Sequence, residues 1–241
     1  MISIVVPAFN EARGLPATLA SIRRAAQAFD ARGWRHELIV CDNNSTDGTA
    51  EIARAAGATV VFEPINQISR ARNAGAAKAS GDWLLFIDAD SQPSPELFAD
   101  VVDTIAAGRC LAGGATVTVE SNELLARATV ATWNVISRSA RLAAGSFIFC
   151  EAHAFRTVGG FSLELYATEE LELFKRLKRL ARQLRRTIVI LHEHPLMTSD
   201  RKARLYTKRE MAAGLLKSAW TLGRAMRNRD DCYMWYDGRR E

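Results

Sequence analysis

The sequence has few cysteines, no long apolar run and no linker-like segment. Its four cysteines stand far apart and form no metal-type spacing, which is typical of reduced core thiols in a cytosolic protein. No stretch approaches the roughly 18 uninterrupted apolar residues that a membrane span requires. The opening residues, Met1–Pro7, lack the basic lead and cleavage site of a signal peptide. We therefore expect a cytoplasmic protein, whose contact with a membrane would be at its inner face.

The composition is that of an ordinary globular domain. Hydrophobic residues make up 48% and charged residues 24% of the 241 residues, which excludes a disordered chain. Without a linker or an internal repeat, the whole chain 1–241 is expected to form a single domain. The net charge of +5 would suit a nucleic acid, an anionic membrane or a nucleoside diphosphate, and does not choose among them.

Short apolar runs alternate with segments of helical spacing, which predicts an α/β fold. In the first hundred residues this alternation indicates parallel strands with right-handed crossovers. The later part is less regular, so we expect a Rossmann-like, mostly parallel central sheet flanked by helices, with a mixed C-terminal half. The predicted strands are Ile2–Val6, Glu37–Cys41, Thr59–Phe62, Trp83–Ile87, Leu111–Val119, Phe147–Cys150 and Thr187–Leu191. The predicted helices are Leu15–Phe29, Thr49–Ala56, Ser69–Lys78, Leu124–Leu142, Thr168–Arg182 and Ala203–Arg227.

Polar side chains directly follow three of the predicted strands. The first strand leads into Asn10 and Glu11, the second into Asp42, and the fourth into Asp88 and Asp90. In open parallel sheets, ligands bind beyond the carboxyl ends of the strands. These side chains are therefore predicted to meet in one crevice.

The segment Asp88-Ala89-Asp90 is a candidate metal site. Mg²⁺ and Mn²⁺ prefer oxygen ligands and keep positions open for phosphate oxygens. One carboxylate can bind the ion while the other contacts a ribose. An isolated Asp-x-Asp is usually a solvated turn, but this one follows a buried strand beside two other polar strand ends.

Three further residues near the crevice allow two interpretations each. Asp42 can accept hydrogen bonds from a base or a ribose, or belong to a loop. Asn10 suits a helix cap and a ligand contact equally well. An arginine in the segment Ser69–Gly75 can bind a base or a diphosphate through its planar guanidinium group. For Arg70, exposure to solvent on a helix surface is a strong alternative interpretation.

Glu169 and Glu170 begin an amphipathic helix. Glu170 falls in the middle of its apolar stripe, where an unpaired carboxylate is costly. Favourable placement near the helix dipole explains acids in the first turn but not an inward direction. We therefore interpret Glu170 as a general base and Glu169 as a flanking, acceptor-side residue. The stripe consists of Leu173, Phe174, Leu177, Leu180 and Ala181.

The residues after the last predicted strand could complete the site. A neutral imidazole of His194 could bind the metal, although histidines in loops usually have no such role. Ser199 and Arg201 could hold a diphosphate.

Taken together, these segments resemble the family 2 glycosyltransferases of the GT-A fold, of the bacterial, inverting type. The matching segments are Ile4–Glu11, Asp42–Thr49, Ala71–Gly75, Gly81–Asp90, Val158–Phe161 and Glu169–Glu170. The resemblance implies transfer of a sugar from a nucleoside diphosphate sugar to a hydroxyl of a saccharide, a lipid-linked or a small-molecule acceptor.

The resemblance also implies roles for single residues. Asp88 would contact the ribose, Asp90 would bind Mn²⁺ or Mg²⁺ on the diphosphate, and Glu170, where Asp is common, would deprotonate the acceptor. The nucleoside would be held by Pro7, Ala8, Asn10, Glu11, Asp42 and Arg72. Residues 1–90 would then form the nucleotide-binding half and residues 91–200 the acceptor half.

The remaining residues, 201–241, are predicted to form a basic amphipathic helix and tail. This helix could lie on an anionic membrane, which would suit a lipid-linked acceptor, or pair with a second subunit. Packing against the catalytic domain is favoured, because its apolar face needs a partner in any case.

Three other functions agree less well with the sequence. A nucleotidyltransferase would need a Gly-rich basic loop after the first strand, and no basic residue occurs there before Arg13. A nucleic acid is not expected as a partner, because an acidic crevice repels a phosphate backbone. A family member that binds nucleotide sugar without turnover would differ from an enzyme only in activity.

Overall fold

The computed structural model describes residues 1–121, 124–199, 224–232 and 236. Of the predicted helix Ala203–Arg227, only the last four residues lie within these ranges, and they form a 3-10 turn, Arg224–Arg227. Arg201 lies outside the described residues.

An eight-stranded sheet forms the centre of the molecule, and helices cover both faces. The strands are β1 Ile2–Ala8, β2 His36–Asp42, β3 Thr59–Phe62, β4 Trp83–Ile87, β5 Ser91–Gln92, β6 Cys110–Val119, β7 Phe147–Glu151 and β8 Thr187–Thr198. The helices are α1 Leu15–Asp30, α2 Thr49–Ala55, α3 Ile68–Lys78, α4 Pro95–Ala106, α5 Leu124–Ala140, α6 Ala152–Thr157 and α7 Glu169–Gln183.

The sheet has the order β3-β2-β1-β4-β7-β6-β8-β5. Strands β1 to β4 are mutually parallel where they pair, whereas β7 runs antiparallel to both β4 and β6. β8 is parallel to β6 and antiparallel to the short β5. The predicted α/β fold with a mixed second half is therefore confirmed.

Burial explains the elements of the first half. All seven residues of β1 are buried, as expected for a strand covered on both faces. Helix α1 buries apolar residues spaced three or four apart, namely Leu15, Leu19, Ile22, Ala26 and Phe29. The four cysteines are also buried and form no disulfide, as predicted.

Three elements were not predicted, namely β5, α4 and α6. Helix α4 has clear signals, since Pro95 begins it and the Ser94 side chain accepts a hydrogen bond from the Leu97 N–H. The prediction for β8 was also wrong in length. After an irregularity it resumes pairing with β6, so it continues past Leu191 to Thr198. His194 therefore lies within a strand rather than in a loop.

No helix in the described part of the chain is long and apolar enough to cross a membrane.

Gly75 allows α3 to approach β1 closely. A Cβ atom added there would lie 2.4 Å from the Cγ1 atom of Val5, which is buried in the sheet. The space is closed by a β-branched side chain with little rotameric freedom.

We expect Gly75→Ala to lower the free energy of unfolding by about 1–3 kcal/mol, because the added methyl group overpacks this contact. Urea denaturation would measure the loss. Gly48→Ala is the matched control, since a Cβ at Gly48 meets nothing within 4 Å. Equal stability of the two variants would contradict the close-packing explanation.

Candidate active site

The carboxyl ends of β1, β2 and β4 meet at one edge of the sheet. The chain leaves β1 towards β2 on one side and returns to β4 on the other, so the crossover direction reverses at β1. Such a reversal opens a crevice in a parallel sheet. The structure places Asn10, Glu11, Asp42, Asp88 and Asp90 at this edge, as the sequence predicted.

Asn10 joins the loops after β1 and β2. Its Oδ1 atom accepts a hydrogen bond from the Thr46 N–H at 2.8 Å, and its own N–H donates to the Ser45 Oγ at 3.0 Å. Its φ of 52° is a left-handed value that asparagine tolerates. The capping role considered for Asn10 is wrong, because α1 begins after Gly14.

Two carboxylates are nearly buried between these loops. Glu11 is 7% and Asp42 is 6% exposed. Asp42 lies opposite Ala8 in the sheet register and accepts the Ser45 N–H at 3.0 Å. Pro7 and Ala8 end β1 and are buried beside them. Pro7, Ala8, Glu11 and Asp42 thus lie side by side, and they are among the residues predicted to hold the nucleoside.

Arg72 is the buried centre of the site. Its side chain is 1% exposed, which excludes a solvated helix face for this arginine. It donates to the Glu169 Oε1 at 2.6 Å, to the Asp88 Oδ1 at 2.8 Å and to the Gly145 carbonyl oxygen at 2.8 Å. Its guanidinium carbon also lies 5.2 Å from the centre of the Phe161 ring.

The contacts observed for Arg72 thus connect four parts of the chain rather than facing an open pocket. Burial by itself would lower the pKa of the guanidinium, but the carboxylates of Asp88, Glu169 and Glu170 outweigh it and raise the pKa. The arginine therefore stays charged in the interior and positions these carboxylates.

The two glutamates at the start of α7 differ in burial, and the one on the buried face is Glu169, whereas the helical spacing predicted Glu170. Glu169 is 4% exposed and paired with Arg72, whereas Glu170 is half-buried. Glu169 is four residues before Leu173 and shares the same buried face. The charge of Arg72 compensates for the burial of Glu169.

Glu170 has a perturbed pKa. Burial raises it to about 8, the nearby Glu169 carboxylate adds to the rise, and Arg72 opposes it. Gly145 lies beside this side chain, since a Cβ there would be at an ordinary contact distance of 3.5 Å from the Glu170 Cδ. A carboxylate with a pKa near neutrality suits proton transfer.

A network of hydrogen bonds fixes the loop before α7. Gln67 donates through Nε2 to the carbonyl oxygens of Leu163 and Leu165, both at 2.9 Å. The Tyr236 hydroxyl donates to the Tyr166 carbonyl oxygen at 2.9 Å and accepts the Ile68 N–H at 3.3 Å. Residues from α3 and from the C-terminal region thus hold the loop that leads to Glu169. Sequence patterns gave no signal for either contact.

Asp90 is tied to the end of β8. Its Oδ2 atom accepts the Ser199 hydroxyl at 3.0 Å, and its carbonyl oxygen accepts the Ser199 N–H at 3.2 Å. The structure thus brings Ser199 to Asp90. The contact observed for His194 is with Asp100 of α4, at 2.9 Å, and this hydrogen bond raises the pKa of the imidazole. A metal role for His194 has no support from these contacts.

The carboxylates at this edge are few, and a hard cation bound there would take only one or two ligands from the protein. Within the described ranges, no group of three or more His, Cys, Asp or Glu side chains is arranged to hold a metal ion. Asp88 and Asp90, which are both half-buried, offer carboxylate oxygens. Mg²⁺ and Mn²⁺ commonly bind through one or two carboxylates and fill the other positions with water and phosphate oxygens. The donor set therefore suits these ions.

The fold and this edge define an α/β protein with a carboxylate-lined crevice at the carboxyl ends of its parallel strands. A family model described as glycosyl transferase family 2 matches residues 3–157, which is more than half of the chain. The protein belongs to glycosyltransferase family 2.

Two curated relatives each match part of the chain. An uncharacterized glycosyltransferase of Mycobacterium bovis is 38% identical over 104 residues, which cover 42% of this chain and 43% of the relative. The undecaprenyl-phosphate 4-deoxy-4-formamido-L-arabinose transferase of Aeromonas hydrophila is 31% identical over 121 residues, which cover 47% of this chain and 36% of the relative. The matches thus span less than half of the length of these relatives.

A solved structure confirms the predicted GT-A fold. The mannosyltransferase PcManGT of Pyrobaculum calidifontis, in complex with GDP-Man and Mn²⁺, superposes with a TM-score of 0.67 at 19% identity. The superposition covers 94% of this chain and 61% of the mannosyltransferase.

We expect Arg72→Leu to lower the free energy of unfolding by about 3–5 kcal/mol, because Glu169 would be left buried without its cation. Chemical denaturation at neutral pH would measure it. Arg70→Leu is the control, since Arg70 lies on the same helix, is half-buried and donates only to Gln67 among the contacts observed. Similar losses in both variants would argue against a special role for the buried pair.

Glu170→Gln should stabilise the protein increasingly as the pH rises. The pKa of Glu170 is 4.5 in the unfolded reference and about 8 in the folded protein, so ionisation destabilises the folded state between these values. Glutamine does not ionise. The free energy of unfolding of Glu170→Gln should therefore exceed that of the wild type by an amount that grows between pH 4.5 and about 8 and is constant above that range.

Denaturation curves at several pH values would check this expectation, with Glu193→Gln, an exposed glutamate of β8, as the control. A difference between wild type and Glu170→Gln that does not change with pH would contradict it.

Proposed function

We propose that this protein is an inverting, metal-dependent glycosyltransferase that moves a sugar from a nucleoside diphosphate sugar to an acceptor hydroxyl. The observation that supports this most is that carboxylates from the strand ends and carboxylates from the start of α7 lie close together at one edge of the sheet. Asp88 belongs to the strand ends of the first half, Glu169 and Glu170 begin α7, and Arg72 contacts both sets.

The donor would lie across the ends of β1, β2 and β4. Glu11 and Asp42 would accept hydrogen bonds from the nucleoside, beside Pro7, Ala8 and Asn10. Asp88, held by Arg72, would contact the ribose. Asp90 would hold Mn²⁺ or Mg²⁺, and Ser199 and Arg201 would contact the diphosphate. The ion would supply positive charge for the departing diphosphate.

Glu170 would act on the acceptor. Its carboxylate would take the proton of the acceptor hydroxyl while that oxygen attacks the anomeric carbon. Attack from the face opposite the diphosphate inverts the configuration at that carbon. The raised pKa of Glu170, about 8, makes its carboxylate a stronger base than an ordinary glutamate.

Two of the comparisons support details of this proposal. The mannosyltransferase structure contains GDP-Man and Mn²⁺, which supports a nucleoside diphosphate sugar and a divalent ion. The Aeromonas relative is named as an undecaprenyl-phosphate transferase, which supports a lipid-linked acceptor among the three acceptor classes.

Calorimetry with UDP, GDP and dTDP in the presence of Mn²⁺ would test the donor site. We expect one of these diphosphates to bind, and Asp90→Ala to abolish the part of the affinity that depends on Mn²⁺. Asp103→Ala, which removes an exposed carboxylate of α4, should bind as the wild type does.

Two results would count against the proposal. If none of the diphosphates binds with the metal present, the nucleotide-sugar donor is wrong. If Asp90→Ala binds as tightly as the Asp103→Ala control, Asp90 is not the metal ligand.

A further inference from the structure

A cluster of four basic side chains lies away from the proposed donor site. Arg138 lies in the last turn of α5 and Arg141 directly follows that helix, whereas Lys178 and Arg182 lie in the second half of α7. Lys178 lies eight residues after Glu170 on α7, a separation of about 12 Å along a helix. We call these four residues the basic cluster.

Two members of the basic cluster, Arg138 and Arg141, line a cavity. The cavity has a volume of about 340 Å³ and lies between the end of α5 and the start of β8. Arg138 and Arg141 line one side of it, and the segment 187–190 lines the other. Lys178 donates a hydrogen bond to the Ala140 carbonyl oxygen, which holds α7 against the end of α5.

The positive charges of the cluster are not neutralised by the described part of the protein. Other arginines have carboxylate partners: Arg176 pairs with Glu172, and Arg186 with Glu151. Within residues 1–121, 124–199, 224–232 and 236, no ion pair is formed by any member of the basic cluster.

The effect of this uncompensated charge is visible at Lys178. Partial burial lowers the pKa of its ammonium group, and the nearby charges of Arg182 and Arg141 lower it further. Like charges held this close repel one another, and a bound anion would relieve that repulsion.

We propose that the basic cluster and its cavity form a binding site for a phosphate-bearing anion, separate from the donor site. The planar guanidinium groups of Arg138 and Arg141 can each donate two hydrogen bonds to phosphate oxygens. Lys178 and Arg182 on α7 add positive charge nearby. The site would take either a small free phosphate compound or the phosphate headgroup of a lipid.

Inorganic pyrophosphate is a suitable probe for the free compound. It would be titrated calorimetrically into the full chain in the presence of EDTA, so that no metal assists binding near Asp90. The double variant Arg138→Glu with Arg141→Glu should weaken binding by about ten-fold or more, since both forks are replaced by repelling charges. Arg24→Glu with Arg179→Glu makes the same change in net charge at exposed positions outside the cluster and should bind as the wild type does.

A second arm tests the lipid source. Flotation would compare binding to vesicles of phosphatidylcholine with and without phosphatidylglycerol. Binding to the anionic vesicles that is lost in the cluster variant, without pyrophosphate binding, would assign the site to a lipid headgroup. The reverse result would assign it to a free phosphate compound.

Thermal melting and Mn²⁺-dependent nucleotide binding of the cluster variant would show that its fold and donor site are intact. The proposal is overturned if the wild type binds neither probe, or if the two double variants bind both probes equally. Because the donor site is measured separately, failure here leaves the proposed transferase function unaffected.

Discussion

The site depends on one buried cation. Arg72 lies in the interior of the fold, and two carboxylates and a carbonyl oxygen surround its guanidinium group. A charge in such a place is costly unless its hydrogen bonds are made, and an arginine can make several at once with one rigid group. The positions of Asp88 and Glu169 are therefore fixed relative to each other by a single side chain.

This arrangement also explains why Glu170 differs from its neighbour. Arg72 makes its direct contacts with Glu169, so Glu170 lies near two negative charges without a hydrogen bond from the cation. Its carboxyl group is partly shielded from water by the fold. Burial and the repulsion by Glu169 then outweigh the attraction of Arg72, and the pKa rises. Adjacent residues of one helix turn thus have different chemistry because only one of them is paired.

The surrounding packing keeps the network in place. Gly75 lets α3, which carries Arg72, lie close against β1, and Gly145 lets the chain pass beside the guanidinium group. The loop before α7 is fixed by Gln67 and Tyr236 from distant parts of the sequence. Small residues where backbones approach and hydrogen bonds where loops meet together hold the polar side chains within reach of each other.

Local patterns in the sequence determined much of this protein. The apolar runs of β1 and β4, the alternation of strands and helices and the polar residues after each strand depend on neighbours in the chain, so the crevice at the strand ends could be predicted. The tertiary structure alone decided that Glu169 rather than Glu170 pairs with Arg72, that β8 runs through His194, and that Tyr236 supports the loop before α7. Each of these depends on which segments, far apart in the sequence, come into contact, and neither helical periodicity nor residue spacing carries that information.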